Sequence, residues 1–213
     1  MSDFLPLFPL PNVVLFPNVF LPLHIFEPRY RTMVADALEG DRMIGMVLLK
    51  PGWEPQYEGR PPVYPIGCSG LMTHAESLPD GRYNIVLRGI ERFRIVAENH
   101  DQSYRRATVE PVVEQALTAD DRAALRSERA KLEAILGPAV ERPAAGSAPP
   151  EIPFAMADED LVNALAQYLD LEPVEKQALL EMRGLRKRAE SLVELLEMKM
   201  MLARAPRVWN VAH

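Results

Sequence analysis

The chain has 213 residues, 48% of them hydrophobic and 25% charged, with a formal net charge of −6 and a single cysteine. That length allows one large domain or two small ones, with a core that stands without cross-links. The acidic balance disfavours the broad electrostatic attraction on which non-specific binding to nucleic acid or an anionic membrane rests, and a lone thiol excludes an internal disulfide.

The first ten residues, MSDFLPLFPL, carry no basic region, and their prolines interrupt any signal-peptide core. No apolar run approaches the ~18 residues of a membrane span, so the expected compartment is the cytoplasm. Segments 13–16 and 19–26 are rich in β-branched and aromatic residues, and Pro17 and Pro22 interrupt them. A proline cannot donate to a ladder, which predicts strands at sheet edges or bulges. The period switches at Phe26-Glu27-Pro28. Pro28 suits a first helical position, Tyr30, Met33, Val34, Ala37 and Leu38 recur at helical spacing, and Gly40 can end the helix.

Segment 43–49 predicts a central strand. Residues 51–62 form a polar, proline-flanked excursion that carries Trp53 and Tyr57. Segment 63–72 predicts another strand, with Gly67 and Gly70 permitting a bulge. Leu78-Pro79-Asp80-Gly81-Arg82 is a turn signal, since Asp-Gly supplies a positive φ at low cost. Strands are predicted over 84–88 and 91–97, separated at Gly89, and over 104–113. In the second of these, Phe93 and Ile95 alternate with Arg92 and Arg94, the pattern of a strand with one apolar and one solvated face.

The second half is helical. Thr118 can cap a helix with Asp120 and Asp121 in its first turn, running to about Leu136 and ended by Gly137-Pro138. Residues 138–155 include the Pro/Ala-rich run ERPAAGSAPPEIP, whose composition predicts a mobile loop. A helix capped near Asp158 carries Leu161, Leu165, Tyr168 and Leu169, and a short helix covers 174–182. A last one, over 185–202, sets Leu185, Leu192, Leu195, Leu196, Met200 and Leu202 against a polar face that includes Arg186, Lys187, Arg188 and Glu190.

Three blocks recur in a familiar order. The first is residues 5–38, LPLFPLPNVVLFPNVFLPLHIFEPRYRTMVADAL. The second joins Ile66-Gly67-Cys68 through the 78–83 turn to LRGIERFRI at 87–95. The third is residues 161–171, then EKQALLE at 175–181, then the leucine-rich helix at 188–196. Together they resemble the N-terminal substrate-binding domain of the Lon protease family, standing without the ATPase and peptidase domains. The resemblance implies an α+β fold, with an N-terminal PUA-like bent β-sheet or pseudo-barrel lobe over 1–115 carrying one packed helix. An α-helical bundle lobe would follow over 116–213. The residues alone support the β-rich then α-rich order, not the barrel topology.

Chemistry is sparse. Gly40–Gly45 has the Walker glycine interval, but Met46 and Val47 stand where Lys and Ser/Thr are required. Lon proteolysis uses a Ser/Lys pair in a separate domain, so no catalytic residue is expected here. Cys68 has His74 six residues on, but a buried structural thiol is the expectation. His24, His74, His100 and His213 form no metal-ligating pair, so neither metal nor cofactor is expected. Glu27 and Arg31, four apart, are expected to pair on the helix beside Arg29 and Asp36.

The function this implies is non-enzymatic binding of unfolded or damaged polypeptide, or its coupling to a Lon-type protease. Such binding needs adaptable apolar surface and open backbone edges. The candidate contact residues are Trp53, Tyr57, Phe16 and Phe20, assigned from the residues rather than the resemblance. The alternative is an RNA-binding PUA-like module whose basic strip comprises Arg82, Arg88, Arg92, Arg94, Arg105 and Arg106.

Overall fold

The computed structural model describes residues 4–57, 59–141 and 156–204. Its first half holds strands β1 (Leu5–Leu10), β2 (Phe20–Ile25), β3 (Met43–Leu48), β4 (Ile66–Ser77), β5 (Tyr83–Asn99) and β6 (Arg105–Pro111). Helix α1 (Pro28–Glu39) lies between β2 and β3, with Pro28 in its first turn and Gly40 just past its end, as the spacing predicts. The second half holds α2 (Ala119–Glu141), α3 (Asp158–Tyr168), α4 (Pro173–Glu181) and α5 (Leu185–Arg204).

The six strands run in the order β2-β5-β4-β3-β1-β6, and a further β5–β6 pairing closes five of them into a ring. Only β1–β3 is parallel. Closure depends on the length of β5. It pairs with β4 along one side, while on the other its first half takes β2 and its second half takes β6. Register slips at Ile90, Thr73 and Val96 mark the bulges that bend these strands.

Several strand expectations change. Segment 13–16 is buried but forms no strand, whereas β1 lies earlier, over a stretch containing Pro6 and Pro9. Each proline needs only one open side. β6 flanks β1 over Leu5–Leu7 and β3 flanks it over Leu7–Leu10, so each missing N–H can face the unpaired side of its half. Gly89 does not break β5. It lets the backbone of residues 16–19 approach, since a Cβ there would lie 2.0 Å from the Phe16 carbonyl oxygen. Asn18 N–H donates to the Gly89 carbonyl and Gly89 N–H to the Val19 carbonyl, both at 2.9 Å.

Period-two alternation divides the core. Leu7, Val47, Phe93 and Ala107 pack on the face that the ring encloses. Gly45 and Gly67 make room there, because a Cβ on either would meet the Phe93 ring within 2.9 Å. The opposite face carries Phe8, Ile44, Met46, Leu48, Cys68, Met72, Ile85 and Leu87. These join one larger core with α1 and with leucines of α2–α5.

Thr118 and Asp121 cap α2 reciprocally, each side chain accepting the other's backbone N–H at 3.1 Å. α2 does not stop at Gly137-Pro138 but continues to Glu141. A proline past the first turn forfeits its own backbone hydrogen bond and crowds the carbonyl four residues back, a local cost that this 23-residue helix carries near its end. Of the loop expected over 138–155, residues 138–141 are thus helical and 142–155 lie outside the described residues.

The two halves meet through polar groups. Arg188 is wholly buried and Arg92 nearly so, rather than lying on solvated faces. Both donate to Glu114, Arg92 at 2.7 Å. Arg92 also donates to the Leu180 and Met182 carbonyls at 2.7 Å, satisfying the open C-terminus of α4. Arg188 reaches the Leu179 carbonyl and Asn163 Oδ1. Nearby, Gln167 accepts from Phe16 N–H, Asn163 donates to the Pro17 carbonyl, and Gln177 donates to the Ile66 carbonyl.

Candidate functional site

The excursion after β3 is pinned to the start of α1. A short 3₁₀ turn, Glu54–Gln56, follows Trp53 and delivers Tyr57 over Arg29. The Tyr57 hydroxyl donates to Glu27 Oε1, and Arg29 donates to Glu27 Oε2 at 3.0 Å and to the Tyr57 carbonyl at 3.2 Å. The Arg29 guanidinium stacks 4.6 Å from the Tyr30 ring centroid and 5.0 Å from that of Tyr57. Trp53 meets Tyr57 edge-on at 5.3 Å. Burial first, then the hydrogen bond to Glu27, raises the Tyr57 phenol above its ordinary value. Glu27 therefore takes Arg29 and Tyr57 as partners, not Arg31, which packs beside Gly81. Asp36 accepts from the Tyr104 hydroxyl at 2.7 Å.

Beside this knot is a cleft of about 180 Å³, walled by Pro9, Leu49 and Pro61, by Tyr30, Tyr57 and Tyr104, and by Arg29, Arg60 and Arg105. Arg105 is buried and bidentate to Glu98, at 2.6 and 2.9 Å, and also donates to the Pro61 carbonyl. Arg60 has no carboxylate partner among the described residues and donates only to the Asn99 and Gln102 carbonyls, at 3.3 and 3.5 Å. The charge pattern drew attention to Arg105 as part of a strip. It gave no sign of this cleft, which is assembled by contacts across 28 to 44 residues of chain.

The other candidates separate. Phe16 is fully buried, so it offers no side-chain surface, whereas Phe20 is 50% exposed on β2. Among the described residues β2 pairs only with β5. Val19 turns its carbonyl to β5, so alternation sends the backbone groups of Phe20, Pro22 and His24 to the outer edge. That edge is short: Pro22 has no N–H, and the Phe20 carbonyl accepts from the Tyr168 hydroxyl at 3.0 Å. Phe26 and Tyr168 are also exposed, and Phe26 stacks on His24. A second apolar area is a groove of about 470 Å³ between α4 and α5, lined by Val174, Ala178, Met182, Leu195 and Met198.

The arginines expected to form a strip do not form one. Arg92 and Arg105 are buried and ion-paired, Arg94 faces Glu110, Arg82 is bonded to Asp80, Arg106 faces Asp101, and Arg88 donates to Asn18. Cys68 is wholly buried and its thiol is pushed up to about 12 by that burial, while His74 is exposed beyond the bulge at Thr73. Gly40 and Gly45 follow a helix and enter a strand, the reverse of a phosphate-binding loop. Among the described residues, no group of three or more His, Cys, Asp or Glu side chains is placed to hold a metal, and no helix is long and apolar enough to cross a membrane.

Comparison with known proteins adds a family. The sequence model of the ATP-dependent protease La (LON) substrate-binding domain matches residues 4–198. The Lon protease of Flavobacterium johnsoniae is 28% identical over 189 residues, covering 87% of this chain and 23% of the relative. Lon protease 2 of Desulfotalea psychrophila is 29% identical, covering 99% of this chain and 27% of the relative. The chain thus spans about a quarter of the length of these relatives. Among solved structures, the N-terminal domain of Mycobacterium avium complex Lon protease superposes with a TM-score of 0.66 at 17% identity, covering 91% of this chain and 98% of that one. A Lon N-terminal domain protein from Xanthomonas campestris gives 0.55 at 23% identity, covering 95% and 99%. At these identities the structural likeness speaks for the fold.

Proposed function

The chain belongs to the Lon substrate-binding domain family, and from that premise we propose that it is a non-enzymatic module that binds unfolded or damaged polypeptide. It would hold such clients in the cytoplasm or pass them to a Lon-type protease, without nucleotide. The observation that carries this proposal is the match of residues 4–198 to a substrate-binding family. The contact surface we assign is the Trp53/Tyr57 loop with the exposed aromatic groups around β2, Phe20 and Phe26. Phe16, being buried, is left out of it.

Three features support a broad polypeptide site. Exposed aromatic surface accepts many side chains without demanding one sequence. The loop is held by a charged knot, so little ordering entropy is lost when a chain lands on it. Burial of Arg92 and Arg105 in ion pairs takes both out of the expected arginine strip, which disfavours RNA.

The test is a fluorescence-anisotropy titration against a labelled, permanently unfolded polypeptide, with a folded protein and a short RNA as controls, at low and high salt. Selective binding of the unfolded chain that persists in salt is expected. Binding of RNA alone, lost as salt rises, would refute the proposal.

A further inference from the structure

We propose that the cleft walled by Arg29, Arg60 and Arg105 binds the C-terminal α-carboxylate of a client polypeptide. This rests on the polypeptide-binding function above and specifies which part of a client the cleft takes.

The charges are unequal. Three guanidiniums line the cleft, and among the described residues two carboxylates are bonded to them, Glu27 to Arg29 and Glu98 to Arg105, which leaves one positive charge unmatched there. Arg60 is the unmatched group. A guanidinium has five N–H donors, and Arg60 spends two on backbone carbonyls, the longer at 3.5 Å and at the limit of a hydrogen bond. A carboxylate is the acceptor that suits such a planar fork. Tyr30 also lines the cleft, and its hydroxyl has no hydrogen-bond partner among the described residues. An anion entering here meets donors that are already in place. Arg29 is held by Glu27 and the Tyr57 carbonyl, and Arg105 by Glu98 and the Pro61 carbonyl.

Size and wall chemistry narrow the anion further. About 180 Å³ lies below the ~300 Å³ at which drug-sized pockets begin, which suits a terminal group better than a length of peptide. Pro9, Leu49, Pro61 and the tyrosine rings form apolar walls beside the arginines, which suits a carboxylate attached to an apolar residue. A chain terminus offers that combination whatever the sequence before it, as a module serving many clients requires. Tyr57 shares its ring with the cleft and with Trp53, so a terminus seated here would lead its chain onto the aromatic loop.

The cleft can be tested without any unfolded chain. Side-chain NMR of the arginine Nε–H groups would be followed during titration with N-acetyl-leucine, N-acetyl-leucinamide and the α-amide of N-acetyl-aspartic acid. The expected result is saturable shifts with N-acetyl-leucine at millimolar concentration, and binding about tenfold weaker, equal to 1.4 kcal/mol, for the amide or in Arg60→Gln. Arg60→Gln should keep the circular dichroism spectrum of the parent. Equal binding of acid and amide, a preference for the aspartyl side-chain carboxylate, or no shift with any probe would overturn the proposal. Anisotropy with one unfolded peptide ending in a free carboxylate or an amide separates the two claims. Equal, tight binding of both forms refutes the carboxylate site and leaves polypeptide binding standing.

Discussion

Replacing Glu114 by Gln should be among the most damaging single changes in the protein. Glu114 is the carboxylate shared by Arg92 and Arg188, whose side chains are 2% and 0% exposed, while its own is 28% exposed. Two cations on one anion leave the cluster one charge positive, and Glu114→Gln makes it two. Burial first, then the neighbouring Arg188, lowers the Arg92 guanidinium from its ordinary value. Breaking a buried pair costs about 3–5 kcal/mol, and the partial exposure of Glu114 points to the lower end, about 3. For a chain of this length that is a fall in melting temperature of roughly 6–12 °C. The double variant Glu114→Gln/Arg188→Met returns the cluster to one positive charge and should recover part of the loss. Differential scanning calorimetry of the parent and both variants checks this. The network joins the sheet to the helices, so the parent should melt in a single transition. A Glu114→Gln shift below about 2 °C, or a double variant no more stable than Glu114→Gln, would refute the reasoning.

Three further outcomes are expected. Gly89→Ala places a methyl group 2.0 Å from the Phe16 carbonyl oxygen; it should cost at least about 2 kcal/mol, read as a lower urea midpoint at unchanged m-value, and parent-like unfolding would contradict the close approach. For Cys68 the folded thiol sits near 12 against an ordinary value of 9.0, because burial disfavours the thiolate. Below pH 9 both states keep the proton, and from there to about 12 only the unfolded thiol ionises, so its contribution to stability is lost as pH rises through that window. A urea series across the window should fall less steeply with pH in Cys68→Ala than in the parent, and alkylation at neutral pH should wait for denaturant. Tyr57→Phe removes the hydrogen bond to Glu27 and should speed amide exchange in the Trp53 loop roughly fivefold, a cost of about 1 kcal/mol, with no change in exchange would mean that another contact pins the loop.

Local signals were legible where one residue settles the backbone. Pro28 and Gly40 bracket α1, Thr118 caps α2, and Gly81 takes a φ of 80° in the 78–82 turn. Signals failed where a distant partner decides. Pro6 and Pro9 interrupt an apolar run, yet each sits in a half of β1 that has only one neighbour. Arg92 reads as the solvated side of an alternating strand, but residues from 22 to 90 positions away cover it. Arg188 did leave a trace: it lies three residues after Leu185 and four before Leu192, on the buried stripe of α5. The candidate surface was legible in part. Trp53 and Tyr57 stand together as their loop suggests, and Phe20 is exposed, but alternation near Pro17 gave no warning that Phe16 is core. The cleft had no sequence signature, because β1, α1, the Trp53 loop and β6 each supply a part of it.

The proposed capture of unfolded chains by aromatic surface is tested by anisotropy titration of a labelled unfolded polypeptide with the parent and with a Trp53→Ser/Phe20→Ser variant of parental stability. Salt-tolerant binding by the parent is expected, with none to the folded control, weakened about tenfold or more in the variant. Equal affinity of parent and variant, or no preference for the unfolded chain, would contradict it.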